Sequence, residues 1–377
     1  MHQWLVCFFS IAFFVASAGA REKPPFEKVR KVILTAIKDG AFPSAVVAIM
    51  KDDRVLFHDA FGSFTYDKHS TKTDTNAIYD MASLTKVLAT TMCVMKLYDD
   101  GKLRLEDSLT KFIPEFGKRG KAGITIKHLL LHNSGLVAFR QYEKFCDNRA
   151  QMLAHIFNDT LRAPIGDTTI YSDVNFILLG ELIERISGKA LDQFYKETFV
   201  DPLGLKSTMF NPPESLYVRI PPVEADSLWR FQWKRPRVHD PRAALAEGVA
   251  GHAGLFSSSS DILVLARLML NGGIVNGKRM IKPQTIALFT QRDSEKSTRA
   301  LGWDTRSAKE SSAGELLSMR SFGHTGYTGT SIWIDPNRSL AVVFLTNRVY
   351  PTSANIKIRK VRQLLHNAVI ESLNELK

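Results

Sequence analysis

Ser83-Leu84-Thr85-Lys86 sets a hydroxyl and an amine three residues apart. Where such a segment opens a helix, both side chains share one face and the amine reaches the hydroxyl. A lysine desolvated there has its pKa lowered enough to accept a proton near neutrality, giving a serine nucleophile and its activator. The same four residues also describe a helix-capping serine followed by a solvated lysine. Two further elements bear on that choice. Tyr171-Ser172-Asp173 stands directly before a helical run, and a phenol held near an ammonium shuttles protons between nucleophile and leaving group. His324-Thr325-Gly326 begins a strand pair near the C-terminus, where a backbone N–H can face a bound carbonyl. Taken singly, these two read equally as a core tyrosine with a capping aspartate and as a turn with a histidine.

The elements around these residues are legible from periodicity. Residues 44–62 form two β-rich runs around Asp52-Asp53, a hairpin signal. Residues 329–347 form a second pair of runs around Asp335-Pro336-Asn337, followed by an amphipathic helix over 356–376. Both chain ends thus point to one antiparallel sheet. Between them the sequence is helix-rich: Leu84, Leu88, Met95 and Tyr98 keep helical spacing, 174–187 ends at Gly188, and 261–270 ends at Gly272-Gly273. Pro212, Pro213, Pro221, Pro222, Pro236 and Pro241 crowd into one stretch, so 212–241 reads as an extended loop or lid.

In their order along the chain the three elements resemble the penicillin-recognising serine hydrolases, a family of class C β-lactamases, D,D-peptidases and related esterases and amidases. The resemblance runs over 26–375 and includes TIKHLLLHNSGL (125–136), YSDVNFILLGELIERISGK (171–189) and GVAGHAGLFSSSSDI (248–262). It implies an α/β (α+β) fold of the β-lactamase/transpeptidase type, an antiparallel sheet flanked by helices with an inserted all-α domain. The sheet domain would comprise 26–80 and 245–377, and the mainly helical domain 81–244. By resemblance, Ser83 is the acylated nucleophile, Lys86 holds the proton network, and Tyr171 is general base in acylation and activates water in deacylation. The backbone N–H groups of Ser83 and Tyr327 form the oxyanion hole, and Thr325 and Gly326 line the substrate site.

Two positions depart from the family pattern. Asp173 replaces the usual asparagine, so it cannot donate an amide hydrogen bond and instead favours a protonated Lys86 or a cationic substrate group. Helix capping is its other reading. His324 stands where many relatives have lysine, which removes a fixed positive charge. The loop 219–252 resembles a subgroup acting on cell-wall fragments, including exo-acting N-acetylmuramoyl-L-alanine amidases and low-molecular-weight penicillin-binding proteins. His239, Asp240 and His252 fill the subgroup's places, as pocket-rim and substrate-binding residues or as fixers of a long loop. Trp229, Arg230, Phe231, Trp233, Lys234, Arg235 and Arg237 interleave rings with cations in that loop, a pattern that grips nucleic acid or stacks on sugars and holds carboxylates.

His128 and His132 keep i, i+4 spacing, yet no H-E-x-x-H or paired-cysteine pattern appears, so no metal and no cofactor are expected. The chain is 377 residues with 45% hydrophobic and 23% charged residues, which allows two domains and excludes wholesale disorder. Its 50 Lys and Arg against 38 Asp and Glu give a net charge of +12, which favours an anionic partner. Residues 1–20 read as a signal peptide, an apolar run over 4–15 followed by small residues ending in Ala18-Gly19-Ala20. A secreted or periplasmic location follows, with no stable membrane span after cleavage and no nucleic acid as partner. Cys93 and Cys146 read as buried free thiols or as one bridge. The function expected is a secreted serine hydrolase cleaving an amide bond in peptidoglycan-derived muropeptides. Alternatives are a promiscuous carboxylesterase, a weak D,D-peptidase/β-lactamase, or a catalytically silent wall-binding protein.

Overall fold

The computed structural model describes residues 25–224 and 238–376; the proposed signal peptide and the interleaved residues Trp229 to Arg237 lie outside them. A six-stranded antiparallel sheet draws on both halves of the chain. Its strands are β1 (Ser44–Lys51), β2 (Arg54–Gly62), β3 (Asp304–Thr305), β4 (Phe322–Thr325), β5 (Ser331–Asp335) and β6 (Leu340–Thr346), in the order β2-β1-β6-β5-β4-β3. Both expected hairpins are present. His324 and Thr325 lie on a further strand, β4, paired with Ile332 and Ser331 of β5.

The central strands are apolar on both faces because both faces are covered. Ala45, Val47, Ile49, Val342 and Phe344 face a layer made by α1 (Glu27–Lys38) and the last helix, Ile358–Glu375. Val46, Ala48, Val343 and Leu345 face the helical body. A continuous apolar run is what such a doubly covered strand requires, and each large side chain so buried contributes about 1.5–3 kcal/mol.

Three helices of that body matter for the site: α2 (Thr91–Asp99), α3 (Asp173–Ser187) and α4 (Ser259–Leu270); the C-terminal helix is α5. A 3₁₀ turn (Ala82–Leu84) and a π-helical turn (Lys86–Thr90) run into α2, where plain helix was expected. Thr91 Oγ1 donates to the carbonyl of Lys86 at 2.7 Å, five residues back. Single π turns of this kind concentrate at functional sites. The Pro-rich stretch is partly packed: a 3₁₀ helix spans Glu214–Arg219, Ile220 and Val238 are buried, and Pro241 starts a short helix to Leu245. Cys93 and Cys146 are buried, unpaired thiols. Among the described residues no helix is long and apolar enough to cross a membrane.

Candidate active site

Ser83 sits in a turn that the rest of the fold clamps. Ala82, before it, takes a left-handed φ of 44°, a conformation costing on the order of 1–3 kcal/mol for a residue with a side chain. Buried Asp80 holds it, accepting from Ala82 N at 2.8 Å and from His239 N at 2.6 Å. From the other side, Thr328 Oγ1 donates to Asp80 O and Thr330 Oγ1 to Met81 O. Gly326 fits because a Cβ there would lie 2.1 Å from Thr330 Oγ1 and 2.5 Å from Met81 O. The turn's internal bond runs from Leu84 N to Met81 O, leaving the Ser83 N–H at the uncommitted N-terminal end. In the β4–β5 turn, Gly326 N and Gly329 N are hydrogen-bonded within the turn. The Tyr327 N–H between them is outside those bonds.

Lys86 is fully buried, and its three ammonium protons have three acceptors: Ser83 Oγ at 3.0 Å, Asp173 Oδ1 at 2.8 Å and His252 O at 3.0 Å. Burial alone would depress its pKa, but the Asp173 carboxylate and Tyr171 outweigh it and the pKa is raised. That direction favours the ammonium form expected from Asp173 over a lysine poised to accept a proton near neutrality. Asp173 does not cap α3; Ser172 does, accepting from Asn175 N. Freed from that role, Asp173 joins a closed ring of charge. Its Oδ2 meets Arg242 Nη1 at 3.1 Å, Arg242 pairs with Asp240, and Asp240 Oδ1 meets His252 Nε2 at 3.0 Å. Burial opposes ionisation of both aspartates, yet Lys86, His252 and Arg242 hold Asp173 below the usual range, and His252 and Arg242 hold Asp240 well below it. Asp173, Asp240 and His252 place ligand atoms within 4.8 Å of one another. Lys86 and Arg242 already balance those carboxylates, so a metal ion there would meet two competing cations.

Tyr171 is the open member, 37% exposed. The His132 ring lies 4.7 Å from it and the His324 ring 5.9 Å. Lys86 Nζ and Arg299 Cζ lie 5.2 and 5.1 Å from its ring centre. His324 Nδ1 donates to Thr325 O at 2.9 Å, so Nε2 carries the lone pair. His132 Nδ1 accepts from Ser172 N, so its Nε2 carries the proton. Burial, then Arg299 and Lys86, pull both imidazoles well below their ordinary pKa, and both are neutral.

Two cavities meet at Ser83, Tyr171 and Tyr327. One, of about 410 Å³, is lined by Arg299, Arg348, Arg359 and Arg362 with His324, Thr325, Gly326 and one carboxylate, Asp304. The other, of about 580 Å³, is lined by Asp173, Glu224 and Asp240 with Arg242 and His239. His239 and Asp240 thus border a cavity as expected, while His252 is buried and lines neither.

The Beta-lactamase family profile matches residues 29–366. The chain belongs to the β-lactamase family. Among curated proteins of that kind, it is 34% identical over 360 residues to a Salmonella agona protein named "Putative D-alanyl-D-alanine carboxypeptidase", covering 85% of this chain and 82% of the relative. Among solved structures, a penicillin-binding protein homologue from Caulobacter crescentus superposes with a TM-score of 0.75 at 20% identity, over 92% of this chain and 97% of the other. A class C β-lactamase from Rhodobacter sphaeroides gives 0.71 at 17%, over 93% and 99%. The fold class read from the motifs is this family's, and the protein is a β-lactamase-family serine hydrolase.

Within the family frame, three features of the site escaped the sequence. His132 lies in a family-like phrase, but its spacing from His128 carries no sign of the contact it makes with Tyr171. Arg242 was one residue from the pair singled out at 239–240. The four cavity arginines carried no signal, because three separate segments bring them together.

Proposed function

We propose that the protein is a secreted or periplasmic amide hydrolase of peptidoglycan-derived muropeptides, working through an acyl-enzyme on Ser83. The observation that carries the proposal is the 3.0 Å contact of Lys86 Nζ with Ser83 Oγ at the junction of the two cavities. Ser83 Oγ attacks the amide carbon while Tyr171, as general base, takes its proton. The Ser83 and Tyr327 N–H groups hold the developing oxyanion. Tyr171 then delivers the proton to the leaving nitrogen, the C–N bond breaks and the amine departs. Water attacks the ester, giving a proton to Tyr171; the C–O bond breaks and Ser83 regains its hydroxyl hydrogen. Lys86 acts throughout as a fixed cation, stabilising charge that develops on Ser83 Oγ and on Tyr171 Oη. The arginine-lined cavity suits the carboxylate of a stem-peptide fragment, in keeping with relatives that carry a carboxypeptidase name.

The test compares wild type with Ser83→Ala on purified muropeptides, following fragments by mass spectrometry. Fragments are expected from the wild type, with a loss of at least about 10³-fold in the variant. Equal turnover by the two proteins overturns the mechanism. Turnover of p-nitrophenyl acyl esters without muropeptide cleavage replaces the substrate reading by that of an esterase.

A further inference from the structure

The cavity beside His324 carries more positive charge than one carboxylate needs. Four guanidinium groups face it against the single carboxylate of Asp304, and Asp304 already accepts from Thr298 Oγ1 at 2.6 Å and Thr305 N at 3.0 Å. Among the described residues, none of the four arginines has a carboxylate within ion-pair distance.

The four divide by role. Arg348, 6% exposed, donates to Tyr327 O at 2.6 Å and to Ser353 O and Asn355 O at 2.8 Å each. Arg362, 7% exposed, donates to Gly326 O at 2.8 Å and Thr330 O at 2.7 Å, and its Nε is buried with no hydrogen-bond partner. These two brace the β4–β5 turn and set a positive field beneath it. Burial and the neighbouring Arg348 bring Arg362 down to about 9, and it still carries its charge at neutral pH. Arg299 and Arg359 make no side-chain hydrogen bond or ion pair among the described residues. Their forks are open, and each open fork can accept one carboxylate in two-point contact.

A buried charge without a counter-ion is costly, and a bound anion relieves that cost. One carboxylate would occupy one fork and leave the second idle over two unneutralised buried cations. We propose that this cavity selects a leaving group bearing two acidic groups, an acidic amino acid or acidic peptide amine, over one bearing a single carboxylate. The inference rests on the reading of Ser83 as nucleophile and adds the class of amine released. The opposite cavity offers no such excess, because its Asp173 and Asp240 carboxylates are paired with Lys86 and Arg242.

The experiment uses N-acylated D-alanyl peptides that differ only in the leaving residue, alanine or glutamate in either configuration. For the wild type, kcat/KM is expected to favour glutamate by about tenfold, equivalent to ~1.4 kcal/mol. The preference should shrink in Arg359→Gln, recover partly in Arg359→Lys, and weaken with added salt. Equal kcat/KM for the two leaving residues overturns the dianion proposal while leaving Ser83 hydrolysis intact. Should no peptide turn over, the hydrolase reading fails separately, and calorimetry of glutamate against alanine binding to Ser83→Ala still decides the cavity: tighter glutamate binding supports it, and equal or no binding overturns it.

Discussion

Lys86 gives one proton to each of three acceptors, so it cannot take the Ser83 proton without first breaking a bond it makes. Asp173 is what keeps it in that state. In Asp173→Asn the burial penalty on Lys86 meets no carboxylate opposite, and its pKa falls from its raised position. An alkaline limb below pH 10.5 should then appear in the rate of Ser83 acylation, with a loss at neutral pH on the order of tenfold or more. Acylation by an activated ester across pH 6 to 10.5 checks this; superimposable profiles for variant and wild type would show that Asp173 does not set the charge of Lys86. Ser83, Lys86 and Tyr171 were readable because local spacing and chain order carry them. Lys86 as a partner of Asp173 was legible too, from the carboxylate standing where the family has asparagine, although the two lie 87 residues apart; Arg242, its second partner, was not, since no local spacing ties 242 to 173.

The proposed oxyanion hole lies at the contact between two elements, the end of β4 and the turn before Lys86. Gly326 is the point of touch, where an added methyl group meets the Met81 main chain. Gly326→Ala should therefore push the Tyr327 N–H away from the Ser83 N–H and lower kcat/KM by roughly 10²–10³-fold. Acylation kinetics alongside a thermal melt separate this from unfolding, and a near-native rate with a native melt would remove Tyr327 from the oxyanion hole. At this scale the strands were legible, because alternating or continuous apolar runs are what covered sheets demand. The π turn was not: its residues satisfy helical periodicity equally well, and the wider winding shows only in the Thr91 backbone N–H donating to Lys86 O. The arginine cavity was equally hidden, being assembled by topology from the segments around 299, 348 and 359–362.

For the whole molecule, the net charge of +12 first pointed to an anionic partner, and the arginine-lined cavity gives part of that charge a place beside Ser83. Buried histidines set the acid behaviour. Burial holds His132 and His324 well below 6.5 and His366 at about 4. In the folded state these groups take up protons later than in the unfolded chain, so their contribution to stability is full above about pH 6.5 and is lost as pH falls from there. Glu224, held at about 2 chiefly by its bond to His239 and also by Ser353, adds a second loss between 4.5 and 2, while buried Asp80, shifted upward, opposes it. Urea midpoints should fall between pH 7 and 4.5, and His366→Gln should flatten that slope; an identical slope would show that His366 takes no part. One apolar cluster runs without interruption from the inner sheet face, at Val46 and Val343, through Met92 of α2 and Leu178 of α3 to Leu265 of α4. The walls of the cleft therefore share one foundation, and a cavity opened anywhere along that cluster is felt on both sides of the nucleophile.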